Sequence, residues 1–255
     1  MSGDRVARNA LDRAMDEKED LLLVYQPIHD ARTRKIVAAE ALLRQRRQTG
    51  EIREASIITK TAEKGPELFE LNSMTVRQAF ADAAKWMKKH SDIRLHLNLS
   101  PREFEEKDIV SRLKGLVADC KVDIEFVNLE ITETSYIKKP EDTMKVLYDL
   151  KGLGLQLWLD DFGTGHSSIT HLQHFPLDGL KLPGDFIAGV PHDVRCSAIV
   201  RSIIALAHDI GLAVVAEGVE NEEQLQFLLA HKCDSIQGFL FSKPMPVEEF
   251  LVLSA

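Results

Sequence analysis

Residues Leu155–Asp161 read LQLWLDD. A strand buried on both faces is a continuous apolar run, and a carboxylate has no place inside it. Here the run stops on two adjacent carboxylates, Asp160 and Asp161. The same pattern recurs along the chain. KIVAAE closes on Glu40, IRLHLN on Asn98, IEFVNLE on Glu130, LAVVAE on Glu217 and DSIQ on Gln237, while DGLKL carries Lys181. Apolar runs that repeatedly end in a polar group point to a (β/α) barrel, whose active sites are assembled from the C-terminal ends of many strands.

Outward from this stretch, eight apolar runs of strand length alternate with longer helix-periodic segments. The runs are Leu21–Ile28, Lys35–Leu42, Ile93–Leu99, Ile124–Thr132, Leu155–Leu159, Gly179–Leu182, Leu212–Ala216 and Ser235–Phe241. The first two are joined only by His29–Arg34. A parallel crossover needs about a dozen residues, so this pair is expected to be antiparallel. The predicted fold is α/β, a modified (β/α)8 TIM-like barrel with an antiparallel first strand. Pro140 with Glu141 and Asp142 opens one helix, and Gly152 and Gly154 end it. Asn221 and Gln224 read as a capping pair. Gly211 stops the helix over Ala198–Ile210.

The 255 residues and 28.7 kDa suit one barrel domain. A formal charge of −8 argues against a broad nucleic-acid surface and against DNA or RNA polymer as a partner. A small anionic substrate stays possible, because bound metal ions supply positive charge locally. Cys120, Cys196 and Cys233 are odd in number and far apart, which favours reduced thiols in a cytoplasmic protein. No apolar run is long enough to span a membrane. Residues 1–19 are charged throughout and read as an amphipathic helical extension carrying Val6, Leu11 and Met15.

Glu40, Asn98, Glu130, Asp160, Asp161 and Glu217 gathered at one barrel mouth would repel one another if left bare. Hard divalent cations, Mg²⁺ or Mn²⁺, relieve that repulsion, and Asn98 is a neutral oxygen ligand. Adjacent Asp160 and Asp161 suit two ions, which together clamp an in-line attack on phosphorus. Lys181 is placed to hold water or the charge developing on phosphoryl oxygens. Each residue alone reads as a solvated strand end, but six such endings together do not. DFGTGHSS, Asp161–Ser168, is a loop whose amides can approach an anion. No Gly-rich loop or HRD segment precedes it, so the kinase reading of DFG fails. KGLGLQ, Lys151–Gln156, precedes a strand and reads as a helix stop rather than a dinucleotide fingerprint. His171 and His174 have no third ligand at zinc spacing.

EALLR (Glu40–Arg44), LNLSP (Leu97–Pro101), LEITET (Leu129–Thr134), LDDFGTG (Leu159–Gly165), LKL (Leu180–Leu182), AEGVEN (Ala216–Asn221) and QGFLFSKPMP (Gln237–Pro246) resemble, in order and spacing, the EAL-domain family. The resemblance places the barrel over residues 20–255. It implies a phosphodiesterase that hydrolyses cyclic di-GMP to linear pGpG. It implies two ions, Mg²⁺ or Mn²⁺, with Ca²⁺ inhibitory. Glu40, Asn98, Glu130 and Asp160 resemble the ligands of one ion, and Asp160, Asp161 and Glu217 those of the other. Lys181, with Glu40 and Glu217, resembles the catalytic set. Gln26, Arg44, Asn98, Ser100, Pro101, Asp161 and Gln237 match substrate-contacting positions. Glu133, Phe162, Gly163, Thr164, Gly165 and Glu220 match the loop and its supports. A homodimer is implied, as are sensor or cyclase domains elsewhere.

Some positions depart from the family's pattern. Pro183 stands where an aspartate usually follows the lysine strand, with Asp185 as a positional substitute. His166 replaces an aromatic after DFGTG, Gln45 replaces a tryptophan, and Gly50–Pro66 lacks the usual proline and phenylalanine. His166 near a dianionic substrate is expected to make affinity rise as pH falls through its pKa. Retention of every metal-type ligand favours an enzyme over a cyclic di-GMP receptor that signals through a protein partner, and over a nucleotide-free interaction module.

Overall fold

The computed structural model describes residues 21–46, 49–63, 65, 67–89, 92–105, 108–132, 140–163 and 172–254. The expected N-terminal helix over 1–19, together with Glu133, Thr164, Gly165, His166 and His171, lies outside the described residues.

Among the described residues, nine strands form one sheet: β1 (Leu21–Asp30), β2 (Ile36–Arg46), β3 (Ile52–Glu54), β4 (Arg94–Leu99), β5 (Val127–Thr132), β6 (Gln156–Asp160), β7 (Gly179–Leu182), β8 (Ala213–Ala216) and β9 (Ser235–Ile236). Their order is β1-β9-β8-β7-β6-β5-β4-β2-β3, and an additional β1–β2 pairing closes eight of them into a barrel. β1 runs antiparallel to both of its neighbours, and β2, β4 and the strands after it are parallel. The short His29–Arg34 connection thus has the consequence expected of it. The small β3 pairs with β2 from outside the ring, a strand the apolar pattern missed because three residues carry too little periodicity. Two expected runs prove shorter by three residues or more. Ile124–Phe126 is a 3₁₀ turn ahead of β5, and β9 ends at Ile236, before Gln237.

Helices among the described residues include α1 (Ser56–Ala62), α2 (Glu67–Met87), α3 (Ile109–Cys120), α4 (Pro140–Gly152), α5 (Gly184–Ile187), α6 (Val194–Asp209), α7 (Glu222–Ala230) and α8 (Val247–Leu253). α7 starts with the capping box anticipated from Asn221 and Gln224. β5 is buried from Val127 to Ile131, as a parallel strand packed on both faces should be. In β1, side chains alternate across the sheet. Tyr25 faces α2, with its ring 5.3 Å from Trp86 and its hydroxyl donating to Asp82 at 2.8 Å. Phe250 of α8 completes this cluster, 5.0 Å from Trp86. Such pairs add about 0.5–1.5 kcal/mol each beyond area burial. They seal the flank where the antiparallel strand interrupts the regular barrel. Gln26, the next residue, lines a cavity at the barrel mouth.

Candidate active site

The polar residues meet at one end of the barrel: Asn98, Glu130 and Lys181 lie within two residues of their strand ends and Gln237 follows β9, whereas Glu40, expected to close its run, sits midway along β2, which continues to Arg46 as it pairs with β1 and β3. Asp160 is the last residue of β6. Asp161 follows with φ +53°, a left-handed turn that aspartate tolerates better than most residues. Glu217 follows β8 and is tied by its amide to the Leu182 carbonyl at 2.9 Å. The Gln237 amide is tied in the same way to the Ala216 carbonyl at 2.8 Å. Gly218 follows at φ +64°, and a Cβ there would lie 2.9 Å from Gly184 Cα, so only glycine lets these two loops cross.

Lys181 is the centre of the site. Its Nζ lies 2.6 Å from Glu217 Oε1, 2.9 Å from Glu130 Oε1, 3.0 Å from Glu40 Oε2 and 3.6 Å from Asp160 Oδ1. The side chain is only 1% exposed. Burial opposes its charge, but the four carboxylates outweigh burial and hold its pKa well above the usual range. Burial, then the charge of Glu40, pushes Glu130 well above the ordinary carboxylate range. Burial raises Glu217 to about 7 against the pull of Lys181. For Glu40, burial works upward but loses to Lys181 and to hydrogen bonds from Gln237, Lys181 and Asn98, so its pKa falls.

Amides hold Glu40 from both sides. Asn98 Nδ2 donates to Oε1 at 3.0 Å, and Gln237 Nε2 donates to Oε2 at 2.9 Å. Gln237 Nε2 also reaches Gln26 Oε1 at 3.1 Å. Potential ligand atoms of Asp160, Asp161 and Glu217 all lie within 4.8 Å of one another. Among the described residues, Glu130 Oε2, Asp160 Oδ1 and Gln237 Oε1 are buried without a hydrogen-bond partner. Buried polar atoms are rarely left so. An all-oxygen donor set with buried carboxylate oxygens that lack a hydrogen bond fits hard divalent cations.

Two cavities flank this cluster and share Leu42. One, of about 290 Å³, is lined by Gln26, Asp160, Lys181, Glu220 and Gln237. The other, of about 560 Å³, is lined by Arg44, Asn98, Ser100, Pro101 and Asp161. The predicted substrate-contacting residues therefore divide between two lobes. Phe162 is buried and Gly163 exposed. Asp185 is exposed and is not among the described carboxylates within 4.0 Å of Lys181 Nζ, so the positional substitute for the missing aspartate does not reach the lysine. Pro183 instead caps the short α5.

The pattern reading missed His96 and Asn128. Both are buried below the carboxylates, with His96 Nδ1 2.7 Å from Glu130 Oε1. A signal was present: His96–Asn98 and Asn128–Glu130 are polar pairs two residues apart in otherwise apolar runs, and such pairs share one face of a strand.

Residues 8–244 match the model of the EAL domain. The chain belongs to the EAL-domain family. It is 34% identical over 234 residues to the signaling protein YkoW of Bacillus subtilis, covering 92% of this chain and 29% of that protein. The chain spans about a third of the length of such curated relatives. Among solved structures, it resembles the MucR phosphodiesterase of Pseudomonas aeruginosa in complex with c-di-GMP, at 31% identity and TM-score 0.89, covering 96% of this chain and 99% of that one. It also resembles Klebsiella pneumoniae BlrP1 with manganese and cy-diGMP, at 28% identity and TM-score 0.78, covering 89% of this chain and 56% of that one. Among the described residues, no helix is long and apolar enough to cross a membrane.

Proposed function

We propose that this chain is a metal-dependent phosphodiesterase that hydrolyses cyclic di-GMP to linear pGpG. The observation that carries the reading is the convergence of Glu40, Glu130, Asp160 and Glu217 on Lys181, between two cavities that share a wall. A cyclic dinucleotide, with two bases on a central ring closed by two phosphodiesters, suits that two-lobed shape. The named ligands of similar structures, c-di-GMP and manganese, support the same assignment.

Glu40, Asn98, Glu130 and Asp160 would hold one ion, and Asp160, Asp161 and Glu217 the other. Two Mg²⁺ or Mn²⁺ ions, when bound, supply positive charge to the attacking and leaving oxygens of an in-line displacement. The chain's own groups do the rest. Gln26, Arg44, Ser100 and Pro101 seat the ligand in its two lobes. Gln237, donating to Glu40 and Gln26, fixes the orientation of both. Lys181 presents its ammonium where charge develops on the phosphoryl oxygens. In the overall step, water oxygen bonds to phosphorus, the P–O3′ bond breaks, and a proton ends on the 3′-oxygen. Ca²⁺, with its looser coordination, is expected to inhibit.

The remaining expectations of the resemblance belong to the same proposal: a homodimer, a cytoplasmic location, an N-terminal extension ahead of the barrel, and sensor or cyclase domains elsewhere. The test is turnover of cyclic di-GMP by the purified chain with Mg²⁺ or Mn²⁺, beside Glu40→Ala. Linear pGpG from the wild type and not from the variant is the expected result. Tight binding without turnover would make the chain a receptor and direct attention to Pro183.

A further inference from the structure

A directed chain of hydrogen bonds runs from the lower end of the barrel to one carboxylate of the site. Arg94 Nη1 donates to the Glu125 carbonyl at 2.7 Å and lies 3.3 Å from Asn128 Oδ1. A guanidinium only donates, so the Asn128 atom facing it is the carbonyl oxygen. The other end of that amide, Nδ2, is then the donor to His96 Nε2, at 2.7 Å. A ring nitrogen that accepts leaves the proton on the other nitrogen. His96 Nδ1–H therefore donates to Glu130 Oε1, at 2.7 Å.

Packing holds the imidazole in this attitude. The Trp158 ring lies 5.1 Å from it. Trp158 in turn occupies space left by Gly179, where a Cβ would come within 2.5 Å of the indole. His96 and Glu130 are each 1% exposed and Asn128 is fully buried, so water does not compete. The result is an asymmetric carboxylate. Glu130 Oε1 is held by His96 and by Lys181, whereas Oε2 is buried with no partner among the described residues.

We propose that His96, its tautomer set by Asn128, is a positioning residue that fixes Glu130 so that Oε2 is the oxygen offered to the ion. The inference rests on the metal-dependent reading of the site. Neither His96 nor Asn128 lines either cavity, so their effect passes through Glu130 and not through the substrate. Partners that orient a ligating group commonly alter metal affinity by about 10–100-fold.

The test is calorimetric titration of the purified chain with Mn²⁺ alone, with thermal unfolding in chelator as the control for folding. His96→Leu is expected to weaken Mn²⁺ binding by about tenfold or more. His96→Asn, whose amide can present an N–H near the place of Nδ1–H, is expected to recover most of the loss. Asn128→Leu, which frees the ring to present a bare Nδ1 to the carboxylate, should weaken Mn²⁺ without altering any ligand. In turnover the loss should fall on kcat and on the Mn²⁺ activation constant, with KM little changed. A folded His96→Leu that binds Mn²⁺ like the wild type overturns the inference alone, as does His96→Asn binding no better than His96→Leu. If His96→Leu does not fold, Asn128→Leu decides, and unchanged Mn²⁺ binding there overturns it. A wild type that binds no Mn²⁺ overturns the reading of the site itself, and this inference with it.

Discussion

Burying an ammonium group costs several kcal/mol unless well-placed partners repay it. Lys181 is repaid by four carboxylates, and they in turn need it. Residue type alone could not reveal this, because DGLKL reads as an apolar strand with one misplaced lysine. His29 shows the same logic with the opposite outcome. Its Nδ1 donates to the Arg34 carbonyl at 3.0 Å and its ring stacks on Phe241 at 4.8 Å, while Nε2 is buried without a partner among the described residues. Burial lowers its pKa from 6.5, against the opposing pull of the Arg34 carbonyl. The sign follows from linkage. As pH falls through 6.5, the unfolded chain takes up a proton that the folded protein resists, so stability declines until pH passes the folded pKa. Each unit of depression is worth at most about 1.4 kcal/mol. Urea midpoints measured at pH 7 and pH 5 should fall more in the wild type than in His29→Gln. Parallel profiles for the two proteins would refute this assignment.

At the scale of elements, the contact between β6 and β7 decides how the barrel is filled beneath the site. Trp158 and Gly179 are register partners, and so are Glu130 and Trp158. A large ring in one strand is accommodated by the absence of a side chain in the next, the large-against-small complementarity of close-packed interiors. Gly179→Ala puts a methyl group about 2.5 Å from the indole. Overpacking of this kind costs about 1–3 kcal/mol. Trp158→Leu is destabilising by itself because it leaves a cavity. The two changes together should cost less than the sum of the separate effects, because the methyl then enters vacated space. Chemical denaturation of the four proteins of the cycle gives the coupling, and strict additivity would mean that the two side chains do not share this space. Helix ends were easier to read than this packing. The Asn221–Gln224 box uses contacts within four residues, whereas the Trp158–Gly179 fit depends on partners 21 positions apart.

At the scale of the whole molecule, the carboxylate ring makes the ion-free protein self-repelling, with Lys181 as its internal counter-charge. Divalent ions that bind only the folded chain must then raise its stability by mass action, by about 2.7 kcal/mol at ~100 times the dissociation constant. For a domain of this size that corresponds to roughly 5–10 °C in Tm. Thermal unfolding in excess Mn²⁺ should therefore lie well above unfolding in EDTA, and Glu40→Ala should narrow the gap. Equal Tm values for the wild type in both conditions would count against an ion site. The sequence by itself determined the barrel, the antiparallel first strand and the acidic strand ends. Those are local facts, set by apolar run length, by a six-residue connection and by which residue ends each run. Only the tertiary structure decided that Lys181 sits among four carboxylates, that Asp185 does not reach it, and that His96 and Asn128 lie beneath Glu130. The reason is closure of the sheet. Register and barrel curvature bring distant side chains within hydrogen-bond distance, 141 residues apart for Glu40 and Lys181 and 34 for His96 and Glu130, and no periodicity along the chain encodes that distance.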